Sequence, residues 1–397
     1  FDWGGKVFCN NGGNDGYLNY SNIGISDGAV ITNANGMKLG YTGQIGQKID
    51  ISGASKVYIA GDFSFQVYGT ATPDFTAAAQ NSLRIADGSH FEVNALAWER
   101  GGDASTFNEN LPIGQYKDWL VVSNATLTMK SGNSSFGCRG YTFTHITADA
   151  TVTAKDALIT GHNVARGNLL RIDNGGTLNA STVYGGWDNA VDKKGLNRNR
   201  IEVLENGTLK TSGVFYFCYS MTCGNVLVVS NGTFACQNFM WNYNNANYGQ
   251  NSVILSGPQA SFTINTATTP LFGVSPSCSF IVENGATYQP ASPAFGYTGT
   301  FLSNDVLRVR TGGKFIGNLN NTASSVTTTT PAQTISTDCG IVVEDEGEVE
   351  SSVVRIGGVD GYLRIDDGKV TVNGSSGVAQ GLQLGFQGVY GGLATNS

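Results

Sequence analysis

The residues that most often carry out catalysis are few in this sequence and stand far apart. Its three histidines are His90, His145 and His162, and none has a Ser or Cys at a spacing typical of a nucleophile and its base. The simplest interpretation of each is a partly exposed histidine in a strand or loop. Polysaccharide cleavage needs close carboxylates, or an Arg or Lys base beside calcium ligands, and no such group is visible. The sequence therefore predicts no catalytic residues and no enzyme activity.

The densest group of carboxylates lies between Glu344 and Glu350, and a second acidic pair follows further along the chain. Carboxylate oxygens are the ligands that Ca²⁺ prefers. Four residues are therefore candidate calcium ligands: Asp345, Glu346, Asp366 and Asp367. The alternative is two solvated turns, because Asp is a common turn residue. The sequence leaves both open and predicts no cofactor other than this calcium ion.

Aromatic residues are dense between Trp187 and Tyr248. Rings on the outer face of a strand can stack on sugars, and rings on the inner face pack in the core. The candidates for sugar stacking are Trp187, Tyr216, Trp241 and Tyr243. Glycans are therefore a candidate partner, and core packing is the alternative.

One short phrase recurs from end to end and indicates the elements that must position these residues. It reads apolar-x-apolar, then polar residues with Asn or Asp, then Gly, a polar residue and another apolar residue. Clear copies are Leu170–Leu178, Ile201–Leu209, Leu227–Phe234 and Leu363–Val370. Thirteen copies between Gly28 and Gly368 make 340 residues over 12 intervals, or about 28 residues per copy, a period typical of solenoids.

Each copy alternates apolar and polar residues on both sides of its Asn-Gly or Asp-Gly turn, which predicts strand, corner and strand. A third apolar segment often follows, as at Val183–Gly185 and Leu382–Gly385. Three strands per copy are typical of a parallel β-helix. We therefore predict an all-β fold, a single-stranded right-handed parallel β-helix of about 13 coils that runs continuously over residues 1–397. Residues 1–22 begin the stack, and no substantial helix is expected.

Aligning the copies on the corner Gly gives an independent test of this fold. Lys314, Glu348 and Lys369 then share one outward row, in which parallel in-register stacking places opposite charges side by side. An inward row is apolar throughout and contains Leu178, Leu209, Phe234, Phe315, Val349 and Val370. Registered stacking predicts both rows.

The phrase L-x-V-x-N-G-G-x-L, followed by an apolar-x-apolar-Gly strand, resembles the repeat of bacterial secreted right-handed β-helix proteins. These include autotransporter passenger domains and pectin-lyase-like surface proteins. The resemblance covers about 340 of the 397 residues and implies the solenoid fold. Because adhesins, self-assembling surface proteins, phage tailspikes and polysaccharide lyases all share this fold, it leaves the function open.

The composition narrows the compartment and the partners. The formal net charge of −7 argues against a nucleic-acid partner, and no run of apolar residues is long enough to span a membrane. Little Lys and much Asn, Thr, Ser, Gly and Tyr favour a mature exported protein, located outside the cell or at its surface. The seven cysteines lack the spacing of a zinc site, and in an oxidising compartment they would form up to three disulfides.

The segment 381–397 is apolar and strand-like, and no cap is visible in it. A solenoid end without a cap exposes unpaired strand edges. Candidate assembly residues are Leu382, Leu384, Val389 and Tyr390. The first hypothesis is therefore an extracellular structural protein that stacks head to tail with copies of itself into a filament or surface array. The second is a carbohydrate-binding or carbohydrate-cleaving protein; a monomeric adhesin lies between them, and a longer parent protein would also explain the missing cap.

Overall fold

All regular structure in the described part of the chain is β-strand, which confirms the all-β prediction. The computed structural model describes residues 2–3, 7–9, 22–39, 48–65, 82–98, 118–137, 142–161, 167–188, 198–220, 224–241, 250–265, 277–290, 294–295, 304–321, 340–356, 361–373 and 381–384. Contacts between Cα atoms divide the chain into two units, Phe1–Ser212 and Gly213–Ser397, which are described separately. Within the described ranges, no helix is long and apolar enough to cross a membrane.

The first unit contains nineteen described strands and the start of a twentieth. They are β1 (Asp2–Trp3), β2 (Val7–Cys9), β3 (Asn22–Ile25), β4 (Val30–Asn33), β5 (Met37–Leu39), β6 (Lys48–Ile51), β7 (Lys56–Ile59), β8 (Phe63–Phe65), β9 (Ser82–Ala86), β10 (His90–Val93), β11 (Leu96–Trp98), β12 (Asp118–Ser123), β13 (Thr126–Met129), β14 (Ser134–Phe136), β15 (Thr142–Thr147), β16 (Thr151–Thr160), β17 (Leu169–Ile172), β18 (Thr177–Asp188), β19 (Arg200–Leu204) and β20 (Thr208–Ser220).

The second unit contains the remaining strands in the described part of the chain. They are β21 (Val226–Ser230), β22 (Thr233–Trp241), β23 (Ser252–Ser256), β24 (Ser261–Ile264), β25 (Ser279–Glu283), β26 (Thr287–Tyr288), β27 (Ala294–Phe295), β28 (Val306–Val309), β29 (Lys314–Ile316), β30 (Asn318–Asn321), β31 (Gly340–Glu344), β32 (Glu348–Ser351), β33 (Val353–Ile356), β34 (Tyr362–Asp366), β35 (Lys369–Val372) and β36 (Gly381–Leu384).

In the first unit, every strand pairs in parallel with the equivalent strand of the next repeat. The first strands of the coils follow the order β3-β6-β9-β12-β15-β17-β19. The second strands follow β4-β7-β10-β13-β16, and the third strands follow β5-β8-β11-β14-β16. Pairing between equivalent strands one repeat apart is the topology of a parallel β-helix, as the repeat predicts.

The predicted three strands per coil hold for the early coils but not for the later coils of the first unit. Strand β16 pairs with both β13 and β14, so the second and third strands have joined into one. Its pairing with β18 shifts register between Ala154 and Ala157, which marks a bulge in place of the second corner. Lys155 and Asp156 stand there, whereas the preceding coil has a turn that contains Gly132.

In the second unit, the first strands follow the order β21-β23-β25-β28-β31-β34. The second strands β26-β29-β32-β35 and the third strands β27-β30-β33-β36 form two further parallel sheets. Over the described ranges there are seven first strands in the first unit and six in the second, so thirteen copies of the repeat are present, as predicted. That they form one continuous solenoid over residues 1–397 stays a prediction.

The register confirms both rows that the sequence alignment predicts. Lys314 pairs with Glu348, which pairs with Lys369. One position further, Phe315 pairs with Val349 and Val349 with Val370. The structure therefore places the charged row on the outside and the apolar row inside, where Phe315 and Val349 are buried.

The first and second strands of a coil are joined by a corner of two to four residues, and two conditions are met there. The residues before the corner glycine adopt a left-handed backbone, as at Glu205 with φ 41° and Asn206 with φ 66°. A Cβ on the next residue, Gly207, would lie 2.2 Å from the carbonyl oxygen of Ile172 in the previous coil. Glycine is therefore required at position 207 for close approach of two backbones.

Candidate functional site

The two acidic corners lie in adjacent coils, as the repeat predicts. Glu344 and Asp366 pair in register, and the backbone N–H of Glu346 donates to the carbonyl oxygen of Asp367 at 2.6 Å. The side chains of Asp345, Glu346, Asp366 and Asp367 are all exposed. This places the four candidate calcium ligands on one edge of the second unit.

Most of the surrounding carboxylates already have cationic partners. Asp366 accepts from Arg364 at 3.0 Å, and Glu350 accepts from Lys314 at 2.6 Å. The hydrogen bond to Glu350 is the main cause that raises the pKa of Lys314. In the described ranges, no group of three or more His, Cys, Asp or Glu side chains converges on a point that could hold a metal ion. The calcium site stays a prediction.

The aromatic segment of the second unit packs mainly inward, which corrects one candidate for sugar stacking. Trp241 is 3% exposed, and its ring meets that of Phe217 edge to face at 5.3 Å. The prediction for Trp241 is wrong because its place in the strand alternation faces the core. Tyr216 is half-buried between Phe215 and Phe217, both buried.

The structure does not test the other two candidates for sugar stacking. Trp187 belongs to β18, but its side chain lies outside the described part, and Tyr243 lies outside the described residues.

Inside this segment the rings form a continuous column across coils. Phe234 and Phe262 stack with centroids 4.7 Å apart, and Phe262 meets Phe280 edge to face at 5.9 Å. Cys236 is buried beside this column, and desolvation raises the pKa of its thiol to about 12. The core of the second unit is therefore a poor environment for charge.

The candidate assembly residues lie at β36 and beyond it. Leu382 is in β36 and is 51% exposed. Leu384 is in the same strand, but its side chain lies outside the described part of the chain. Val389 and Tyr390 lie outside the described residues. Leu382 pairs with Val354, which is fully buried.

A buried polar ladder precedes the first strands, and sequence reasoning missed it. In the first unit, Asn199 Oδ1 accepts from the backbone N–H and from the Nδ2 of Asn168, both at 3.1 Å. In the second unit, Asn251 Oδ1 accepts from the backbone N–H of Asn225 at 2.8 Å. Asp305 takes the same role toward the backbone N–H of Cys278 at 2.8 Å.

A sequence signal for this ladder exists at a fixed place. Each ladder residue directly follows a residue with a left-handed backbone, such as Gly167, Arg198 or Gly224, and comes just before an apolar strand. The pattern marks the corner that precedes each first strand, at which a side-chain oxygen satisfies a backbone donor of the adjacent coil. This is a structural role, not a catalytic one.

The outer face of β12, β15, β17 and β19 in the first unit carries an exposed aromatic ring beside charged side chains that pair with one another. Trp119 is 48% exposed and meets Phe143 of the next coil edge to face at 5.8 Å. His145 stacks on Phe143 at 5.3 Å, and the Arg171 guanidinium lies 6.0 Å from the Phe143 ring centre. We call this surface the Trp119 face.

Ionic pairs hold the charged side chains of the Trp119 face. His145 Nε2–H donates to both oxygens of Asp173, at 2.9 and 3.0 Å. Arg171 Nε and Nη2 both lie 2.7 Å from Oε2 of Glu202, and Arg200 binds the other oxygen of Glu202. The side chains of Asp173 and Glu202 are largely buried, at 12% and 8% exposure. A partly exposed histidine was expected at position 145, but its carboxylate partner becomes visible only when successive coils are stacked.

Comparison with known proteins adds no family to this picture. No protein-family model, no curated protein and no solved structure matches the chain.

Proposed function

We propose that this protein is an extracellular structural protein whose copies stack end to end through the edge formed by β34, β35 and β36. The observation that carries the proposal is a sudden exposure within one inward row. Ile365 belongs to a row of residues that pair in register and are otherwise fully buried: Val229, Leu255, Val282, Val309 and Val343. Ile365 itself is 50% exposed.

The exposure of a second inward row also rises in the same coil. Leu319 pairs with Val354 and Val354 with Leu382, and exposure rises from 1% and 0% to 51%. Covering a large aliphatic side chain is worth about 1.5–3 kcal/mol. The equivalent residues of the preceding coils are buried. A further coil laid on this edge would bury Ile365 and Leu382 in the same way.

The backbone of this edge supports the same partner. Among the described residues, β34, β35 and β36 each pair with one strand only, β31, β32 and β33 respectively. A strand edge of this kind offers a row of N–H and C=O groups to another parallel strand. A coil of a second copy supplies both the strands and the apolar row, and such a head-to-tail contact propagates without closing.

The experiment compares association of the wild-type chain with that of a charged edge variant. The double variant Ile365→Lys and Leu382→Lys places two ammonium groups in the rows that stacking must bury. We expect the wild-type chain to form higher oligomers with rising concentration in sedimentation velocity, and rods in negative-stain electron microscopy. We expect the double variant to stay monomeric.

The matched control is Thr371→Lys, which adds a charge to the same edge at an outward position. Thr371 pairs with Glu350 in the outward row and is half-buried. We expect this variant to associate like the wild type. Far-UV circular dichroism checks that all three chains are folded. A wild-type chain that remains monomeric at the highest concentration, or a control that dissociates as fully as the double variant, would contradict the proposal.

A further inference from the structure

The Trp119 face combines an exposed aromatic ring with a fixed set of polar groups on one side of the first unit. Trp119 and Phe143 pair in register on β12 and β15, and Ser82 of β9 pairs with Trp119 on its other side. Leu120 and Val122 point inward and are fully buried. The alternation of the strand therefore directs Trp119 outward, where nearly half of its surface meets solvent.

The polar half of the Trp119 face is the next outward row, two residues further along the same strands. His145 of β15 pairs with Arg171 of β17, and Arg171 pairs with Glu202 of β19. Each of these side chains is tied to a neighbour by the ionic contacts given above. The arginines remain more than one third exposed, at 37% for Arg171 and 39% for Arg200. Guanidinium N–H groups that do not face Glu202 are available to a ligand, because an Arg side chain has five donors.

The charges of the face cancel. Arg171 and Arg200 match Asp173 and Glu202 in number, so these four side chains carry no net formal charge. A polyanion would require a net positive surface, and a polycation a net negative one. A surface that is polar, rigid and neutral, next to an exposed indole, is suited to an uncharged ligand with an apolar face and many hydroxyl groups.

We propose that the Trp119 face binds a neutral glycan. A pyranose ring stacks its C–H face on the Trp119 indole, and its hydroxyl groups exchange hydrogen bonds with Arg171 and with the His145–Asp173 pair. The four strands span three inter-strand spacings, which is about 14 Å. The face is therefore long enough for a short stretch of a glycan chain. This site is separate from the edge proposed for stacking and does not depend on it.

The experiment screens the whole chain on an array that carries neutral and acidic glycans, followed by calorimetric titration with the best neutral oligosaccharide. We expect saturable binding to neutral glycans. We expect Trp119→Ala to weaken binding at least tenfold, which corresponds to about 1.4 kcal/mol. Arg171→Gln should weaken binding less than Trp119→Ala does, because the side-chain amide of Gln can still donate hydrogen bonds.

The matched control is Val30→Ala, which truncates another exposed apolar side chain of the first unit, 50% exposed on β4. This variant should bind like the wild type. Absence of binding to every neutral glycan, binding to acidic glycans alone, or unchanged affinity in Trp119→Ala would overturn the proposal. The two proposals are tested independently. Trp119→Ala should associate like the wild type, and the double lysine variant of the edge should still bind the glycan.

Discussion

The rings of Phe234 and Phe262 stack face to face across two adjacent coils, with centroids 4.7 Å apart and planes inclined by 12°. Their strands, β22 and β24, pair in register at these two residues. The distance between the rings is therefore close to the spacing of the strands themselves, about 4.8 Å. An in-register solenoid converts a single aromatic position of the repeat into a stack of rings, and this gives the core of the second unit its aromatic column.

Truncating this column should destabilise the second unit strongly. Phe234 is fully buried and contacts the rings of Phe215, Phe239 and Phe262. We expect Phe234→Ala to lower the free energy of unfolding by about 3–5 kcal/mol, because a cavity opens between rings that cannot collapse together. Urea unfolding followed by circular dichroism measures this. A loss no greater than that of Val30→Ala, which truncates an exposed side chain, would contradict it.

The polar ladder should contribute stability through a buried donor. In Asn199→Ala, the backbone N–H of Asn168 loses its acceptor at a site where Asn168 is 6% exposed. We expect a loss of about 1–3 kcal/mol in urea unfolding, the cost of an unsatisfied buried group. Asn133→Ala serves as the control, since Asn133 is exposed between β13 and β14 and should change stability by less than about 0.5 kcal/mol. Equal effects of the two substitutions would show that the polar ladder does not contribute to the stability of the first unit.

The corner glycine at position 207 should tolerate no side chain. The Cβ of Gly207→Ala would lie 2.2 Å from the Ile172 carbonyl oxygen, so the two coils must separate locally. We expect a destabilisation of about 1–3 kcal/mol by overpacking. Gly24→Ala is the matched control, because nothing lies within 4 Å of its Cβ position. A melting temperature of Gly207→Ala equal to that of Gly24→Ala would show that the coils are not in close contact there.

The thiol of Cys236 should make stability sensitive to alkaline pH. Burial raises its pKa from 9.0 to about 12, so between these values the unfolded chain releases the thiol proton while the folded chain keeps it. The contribution is fully present below pH 9 and is lost as the pH rises, by up to about 1.4 kcal/mol per pH unit. Urea midpoints at pH 8 and pH 10.5 should fall more steeply for the wild type than for Cys236→Ala. Identical slopes would show that the thiol is not desolvated.

Calcium should leave the melting temperature unchanged if the acidic corners are solvated turns. Their four side chains are exposed, and Asp366 is paired with Arg364. A site that binds calcium only in the folded state would raise the melting temperature by mass action. Thermal melts with and without millimolar calcium distinguish the two cases. A rise that disappears in Asp345→Asn would establish the calcium site and refute the solvated-turn interpretation.

Much of the fold follows from the sequence because the repeat combines two local constraints. Alternation of apolar and polar residues specifies strands, and the Asn-Gly or Asp-Gly turn specifies where each strand ends. These constraints predicted the in-register rows of Lys314 and Phe315 correctly. They did not predict that the second and third strands join in β16, because two consecutive polar residues, Lys155 and Asp156, interrupt the alternation in the same way whether they form a turn or a bulge.

The candidate sites could be predicted less well from the sequence, because their geometry depends on neighbours in other coils. Trp241 and Trp119 both lie in aromatic-containing strands, yet one is 3% exposed and the other 48%. Which of them meets solvent depends on its position in the alternation relative to the coil axis.

The sequence by itself therefore determined about thirteen copies of a β-coil, since period, alternation and turn chemistry are properties of neighbouring residues along the chain. Only the tertiary structure decided which side chains meet across coils. It paired His145 with Asp173 and Arg171 with Glu202, and it left Ile365 uncovered in a row that is buried elsewhere. The physical reason is that contacts between coils depend on register and on connections of variable length, which local patterns do not encode.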